Sequence, residues 1–272
     1  MTSIAHPPAA RAGFPWARSL GAALVALALA FAILGPVLVP GDPFAQSLLK
    51  ALAGPEAGAP LGYDHLGRSI YHRLADALRL SPLIALAAVA TAGALGLTLG
   101  TLAAARSGWT DRVLTALADA LLALPGLLLV LIVLAIMPST ATGFWLGLSL
   151  VLWVEFFRLT RAAVRDTLAS PAVQATRLLG FGPIYVFRRH LWPEIAPMML
   201  TAGAFGMATA IMGIAALGFV SVGMRAPTPE LGLMMVELMP YWQEAPHALL
   251  APVIATFGLL LGLTLLAGSR ET

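Results

Sequence analysis

Cysteine is absent from this 272-residue chain, and lysine occurs once, at Lys50. Without cysteine there can be no disulfide framework and no thiolate metal site. With one lysine and a net charge of +3 there is no basic tail and no basic–aromatic surface. The sequence pI near 9.8 therefore does not point to nucleic acid. Charge of either sign is scarce, 11% of residues against roughly 25% in soluble domains. No G-x-x-x-x-G-K-[ST] phosphate loop is present, no G-x-S-x-G and no H-E-x-x-H, so the chain holds no nucleotide-binding loop and lacks the usual marks of an intramembrane hydrolase.

What fills the chain is apolar: 59% of residues, with a mean hydropathy of +0.88. The excess lies in long runs. Charge-free stretches of 23, 26, 30 and 25 residues follow Arg18, Arg79, Glu194 and Glu244. Each can cross a hydrocarbon core about 30 Å thick, which takes roughly 20 apolar residues as helix. From Val113 to Val154, 42 residues carry one charge, Asp119. That length suits two spans, with the turn in Met137–Gly143 (MPSTATG), where a proline, hydroxyl residues and a glycine cluster. The expectation is an all-α polytopic membrane protein with six spans, at about 19–39, 80–105, 112–137, 143–163, 195–223 and 246–268. The organisation expected is a tail 1–18, a first anchor 19–39, an extracytoplasmic segment 40–79, a five-helix core 80–268 and a tail 269–272. The first run is too long for a signal-peptide core of about 7–15 residues and reads as an uncleaved anchor.

With both termini cytoplasmic, eleven arginines fall inside: Arg11, Arg18, Arg106, Arg112, Arg158, Arg161, Arg165, Arg177, Arg188, Arg189 and Arg270. Five positive charges fall outside: Lys50, Arg68, Arg73, Arg79 and Arg225. The positive-inside rule selects this orientation.

Six of the inside arginines lie between Arg158 and Glu194. Anchoring against anionic headgroups accounts for their charge, but not for the order within the segment. Ser170-Pro171 is a cap and first-turn pair, and Gly180 is a stop signal, so a helix is predicted over about 170–180. Ala172, Ala175, Thr176 and Leu179 recur at spacings of three and four and form one narrow face. Such a rod can fit a groove on another protein and act as a lever.

The stretch Gln174-Ala175-Thr176-Arg177-Leu178-Leu179-Gly180, with Pro193 thirteen residues past the glycine, resembles the EAA motif of permease subunits in bacterial ABC importers. Gln174 stands where that motif has its acid, and Thr176 where it has its second alanine. LGYDHLGRSIYHRL (Leu61–Leu74) resembles the segment preceding the second span in the peptide/nickel group. GFVSVGMRAPTPELGLMM (Gly218–Met235) resembles the group's S-F-L-G-L-G-x-x-x-P-T-P-E-W-G-x-M, with Gly218, Ser221 and Leu231 departing from it. WVEFFRLTRAAVRDTLAS (Trp153–Ser170) resembles its A-R-x-x-R-x-x-x-L-S run. The resemblance covers the chain from about residue 20. It implies a type I permease fold in the bacterial inner membrane, and a C-type subunit paired with a second, homologous permease. It also implies two cytoplasmic ATPases that bind ATP and Mg, with no cofactor on this chain, and a solute-binding protein outside. The cargo it implies is peptide, nickel or metal chelate. The ATPase would receive a coupling helix through Ala172, Gln174, Ala175, Thr176, Leu179, Gly180 and Phe181. Pro227, Pro229 and Glu230 would lie in a loop that meets the binding protein or gates the outer mouth.

Ionisable residues within spans are functional candidates by default. Asp119 and Glu155 are expected close to the inner ends of their spans. Each is read either as a pathway or proton-relay carboxylate, or as an ion-pair partner of Arg158 or Arg112. His65, His72 and His247 fall on the outer side without the short spacing of a metal site. Gly93, Gly96 and Gly100 predict a close-approach helix face. A proton-driven secondary transporter and an intramembrane enzyme are the alternatives, but no internal repeat of the kind secondary transporters carry is visible.

Overall fold

The computed structural model describes residues 15–268 except Ser139 and Ser221. The expectations for Arg11, Arg270 and most of both tails lie outside the described residues. Ten α-helices follow one another among them. The only β pairings there are two isolated bridges, Glu56 with Ala59 and Tyr63 with Ser69. Five helical segments are long and apolar enough to cross a membrane, and a bent pair makes six if it counts as one span.

α1 (Pro15–Leu38) begins four residues before the predicted anchor. It packs along α10 (Pro246–Gly268), and a Cβ on Gly21 would stand 2.8 Å from the Gly262 carbonyl.

α2 (Ile70–Arg106) starts ten residues before the predicted span. Its 37 residues measure about 55 Å, so its first turns rise above the hydrocarbon. They are helical because their polar groups find partners. Tyr71 donates to the Gly35 carbonyl, and His72 Nε2 lies 2.7 Å from the Val39 carbonyl. The segment 40–79 is thus not all loop. The helix also begins after His65, so His65 and His72 do not share a helical face.

The third span is two helices, α3 (Gly108–Leu122) and α4 (Gly126–Ile136), meeting at 87°. Composition predicted one helix over 112–137. Pro125 stops it, because proline pushes the residue before it out of the helical region and brings no N–H. The turn predicted over Met137–Gly143 ends sooner than expected, since α5 (Ala141–Ala169) starts inside it, capped by the Thr140 hydroxyl accepting from Gly143 N.

The α2–α5 seam is the most extensive in the molecule. A Cβ on Gly96 would stand 2.7 Å from Phe157 N, and one on Gly100 2.8 Å from the Phe157 carbonyl. Gly93, predicted to share that face, meets only Met199 Cε at 3.7 Å and lies off the seam.

α6 (Pro171–Leu178) is the short helix predicted between the fourth and fifth spans. After it, α7 (Pro183–Val186), a π-helical turn (Phe187–Leu191) and α8 (Trp192–Phe219) run on as one 37-residue apolar segment. Pro193 and Pro197 donate no ladder bonds, and the irregular turn sits just before them. α9 (Leu231–Leu238) was not anticipated: the outer loop read as a turn continues into a helix and a 3-10 turn, Met239–Tyr241.

Candidate functional site

α6 is fixed at both ends by its own sequence. The Ser170 hydroxyl accepts from Val173 N at 3.4 Å, and Pro171 occupies the first turn. At the other end Gly180, at φ +83°, donates to the Arg177 carbonyl while Phe181 N donates to the Thr176 carbonyl. These two bonds make a Schellman stop. Val173 alone of the helix is buried, and it anchors the rod.

The other side of the rod is open. Ala172, Gln174, Ala175, Arg177, Leu178, Leu179, Gly180 and Phe181 are exposed, Leu178 at 89%. Ile184 and the Tyr185 ring, stacked on Phe181 at 4.3 Å, extend this apolar surface into the next segment. Thr176 is half-buried: its hydroxyl donates to the Ala172 carbonyl and lies 3.0 Å from His190 Nε2, tying the rod to the π-helical turn. Gln174 Nε2 likewise donates back, to the Ala169 carbonyl. Beneath, Val164, Leu191 and Ile195 form a small apolar core that joins α5 to the base of α8.

The intramembrane charges sit deeper than the sequence suggested. α5 runs on to Ala169, so Glu155 is at its midpoint. Its neighbour Phe156 packs on Gly96, ten residues or about 15 Å from the inner end of α2. Asp119 lies eleven residues into α3, near the bend. Arg158 Nη2 lies 3.4 Å from Asp119 Oδ1, so the ion-pair reading holds for Asp119. It does not extend to Glu155, which makes no hydrogen bond or ion pair among the described residues. Glu155 instead opens on a groove of about 370 Å³ between α5 and α8, with Pro197 and Thr201 on the far wall.

On the outer side, Pro227 is exposed while Pro229 and Glu230 are buried. The Glu230 carboxylate accepts from Gly232 N and Leu233 N and so caps α9. Burial pushes its carboxyl above the ordinary range, against the pull of those backbone donors.

A four-charge network went unread in the sequence. The Asp64 carboxylate accepts from Arg68 Nε at 2.6 Å and from Arg73 Nη1; the Glu237 carboxylate accepts from Arg68 Nη2 at 3.1 Å and Arg73 Nη2 at 2.7 Å. Both arginines are almost fully buried. Burial pushes the Asp64 carboxyl up, but the Arg68 backbone N–H and the two guanidiniums outweigh it and hold it below its usual range. Asp64, Arg68 and Arg73 lie close in the chain, but nothing in the sequence assigned Glu237 to them. His65 stacks on Tyr241 at 5.2 Å nearby. Among the described residues no three His, Asp or Glu side chains converge as a metal site.

The protein family described as binding-protein-dependent transport system inner membrane component matches residues 96–269. The chain is 34% identical to the di/tripeptide transport system permease protein DppC of Pseudomonas aeruginosa, over 84% of this chain and 77% of that one. It is 29% identical to the dipeptide transport system permease protein DppC of Haemophilus influenzae, over 93% and 88%. It is also 29% identical to the nickel transport system permease protein NikC of Escherichia coli, over 89% and 87%.

Proposed function

Since this chain belongs to the family of binding-protein-dependent transport system inner membrane components, and is a permease subunit of an ABC importer, we propose that α6 is the element through which a cytoplasmic ATPase drives it. The observation that carries this reading is the rod's construction: capped at both ends, anchored by one buried valine, and open along Ala172, Ala175, Leu178 and Leu179. An apolar surface of this kind at the end of a bundle marks a protein contact.

In this reading two ATPase subunits bind ATP and Mg, and their closure moves α6. The motion passes through Val173, the Thr176–His190 contact and the small core at Val164 and Ile195 to α5 and α8. Conformational work requires an interaction that differs between the two states. Nucleotide supplies it in the partner, and α6 transmits it. This chain forms one half of the pathway beside a second permease, and a solute-binding protein delivers cargo to its outer face. Both termini lie in the cytoplasm.

Glu155 is the residue assigned to the pathway. A carboxylate at this depth is costly unless it faces partner charge or a water-filled cavity, and it opens on a groove. The relatives' cargoes are di- and tripeptides and nickel. A peptide's ammonium and a metal cation both present positive charge to such a carboxylate.

The test is Ala175→Arg in the assembled transporter. Cargo-stimulated ATP hydrolysis and uptake should fall by on the order of 100-fold, as for a disrupted interface hot spot of about 2–3 kcal/mol, with membrane insertion unchanged. Unchanged uptake would remove α6 from the coupling role. Glu155→Gln should lower uptake and leave basal ATP hydrolysis intact; equal uptake by that variant would take Glu155 out of the pathway.

A further inference from the structure

Two grooves on the inner third of the molecule share a wall. One, of about 400 Å³, runs along α2 from Arg106 up to Leu97; the other, of about 320 Å³, runs beneath the 183–191 segment to Arg177. Thr101, Ala105 and Phe187 line both, so the two form one trough with two branches. Its walls are apolar apart from the ends. The trough is separate from the Glu155 groove and meets the α6 surface only at Arg177 and Ile184.

Four side chains of the trough are polar; the Thr98 hydroxyl is spent on the Ala94 and Leu95 carbonyls of its own helix, and the other three follow a definite order. Arg106, in the last turn of α2, sits at the mouth and makes no ion pair or hydrogen bond among the described residues. Arg177 stands at the mouth of the second branch and is likewise unpaired there. Five residues up α2 from Arg106, about 7.5 Å along the axis, the Thr101 hydroxyl is buried without a hydrogen-bond partner. A buried hydroxyl left unmatched costs about 1–3 kcal/mol, so something that accepts a hydrogen bond belongs there. Beyond Thr101 the wall is Leu97, Leu102 and Thr98, whose hydroxyl is already bonded within the helix.

From the mouth inward the trough thus presents a cation, a single donor and then hydrocarbon. That is the order of groups along a phospholipid: phosphate, glycerol ester, acyl chain. We propose that the trough is a binding site for one anionic phospholipid. Arg106 and Arg177 hold its phosphate, Thr101 donates to an ester carbonyl, and Leu97, Leu102 and Phe187 enclose an acyl chain. Basic pockets between transmembrane helices on the cytoplasmic side take anionic lipid in this way. A second permease seated in the trough would instead have to bring a carboxylate to Arg106 and an acceptor to Thr101. The choice of the inner leaflet rests on the proposed orientation; the site itself does not.

The experiment is native mass spectrometry of the full-length chain, purified with its co-expressed subunits and titrated with phosphatidylglycerol or phosphatidylcholine of identical acyl chains. The wild type should retain one phosphatidylglycerol, held at least about five-fold more tightly than phosphatidylcholine, as one arginine near a lipid phosphate provides. Arg106→Gln should erase that preference and Arg106→Lys should keep it. Ala105→Phe, which fills the shared wall, should weaken both lipids. Four results would overturn the proposal: no retained lipid in the wild type, equal retention of the two lipids, an unaltered preference in Arg106→Gln, or displacement of the lipid by glycerol phosphate alone. None of these readouts involves ATP hydrolysis or uptake, so they stand apart from the test of α6.

Discussion

Replacing Glu237 by Gln would leave Arg68 and Arg73 with Asp64 as their only charged acceptor. Both guanidiniums are out of water, and removing one member of a buried ionic group costs about 3–5 kcal/mol because the remaining charge stays unmatched. We expect Glu237→Gln to lower the thermal unfolding temperature of the purified protein by several degrees. A double-mutant cycle with Arg73 should show strong coupling. The pH dependence follows from Asp64. Its folded pKa lies below the ordinary 3.8, so its stabilisation is complete at neutral pH and is lost only as the pH falls below 3.8 and through that depressed value. Between pH 5 and 8 this carboxylate should leave the unfolding temperature unchanged. The glycines of α2 divide in the same residue-by-residue way. Gly100→Leu drives a side chain into the Phe157 carbonyl and the Thr160 Cβ, both within 2.9 Å of the new Cβ, and overpacking of this kind costs about 1–3 kcal/mol or more. Gly93→Ala meets nothing closer than 3.7 Å and should be silent. Thermal unfolding of the two variants separates them.

At the level of elements, α6 offers the sharper contrast. Gly180 sits at φ +83° with open space around it, so Gly180→Ala introduces backbone strain and no clash. Left-handed backbone costs roughly 1–2 kcal/mol for a residue with a Cβ. The last turn of α6 should fray, and the affinity for the ATPase should fall by on the order of ten-fold. Gly182, at φ −75° and equally open, should accept alanine without effect on the same pull-down. The sequence made this element readable because its signals are local: Ser170-Pro171 starts the helix, Gly180 ends it, and no distant partner is needed. The spans were readable for a similar reason, since charge-free length is a property of one segment. What stayed hidden depends on partners. α2 extends above the lipid because the Gly35 and Val39 carbonyls receive Tyr71 and His72. Thr176 ties α6 to the π-helical turn because His190 is within reach. Glu237 joins the outer charge network from 164 residues beyond Arg73. The Pro125 bend could have been taken from the sequence, but the uniform apolarity around it argued for a single helix.

For the molecule as a whole, the number of crossings decides which surface meets the cytoplasm, and the bent α3–α4 pair is the point at issue. Were that pair to turn back on itself, α5 would run outward and carry Arg158, Arg161, Arg165, Arg177, Arg188 and Arg189 to the outer face, against the positive-inside rule. The packing argues the other way. Arg161 pairs with Asp111 in the first turn of α3, the Val130 side chain closes on Gly147, and the Met137 carbonyl stands beside Gly143. From Asp111 to Met137 the chain therefore travels antiparallel to α5, from the level of Arg161 to that of Gly143. Those eighteen residues of α5 measure about 27 Å, close to the roughly 30 Å of a hydrocarbon core. This packing supports the proposal that the bent pair crosses and that α6 returns to the side of the N-terminus. Because the chain has no cysteine, single introduced thiols report this directly. Leu49→Cys, fully exposed in the segment after α1, should react with a membrane-impermeant maleimide on intact cells. Ala175→Cys, exposed on α6, should react only after permeabilisation. Labelling of Ala175→Cys on intact cells would mean that the pair does not cross, and would place α6 beyond the reach of any cytoplasmic ATPase.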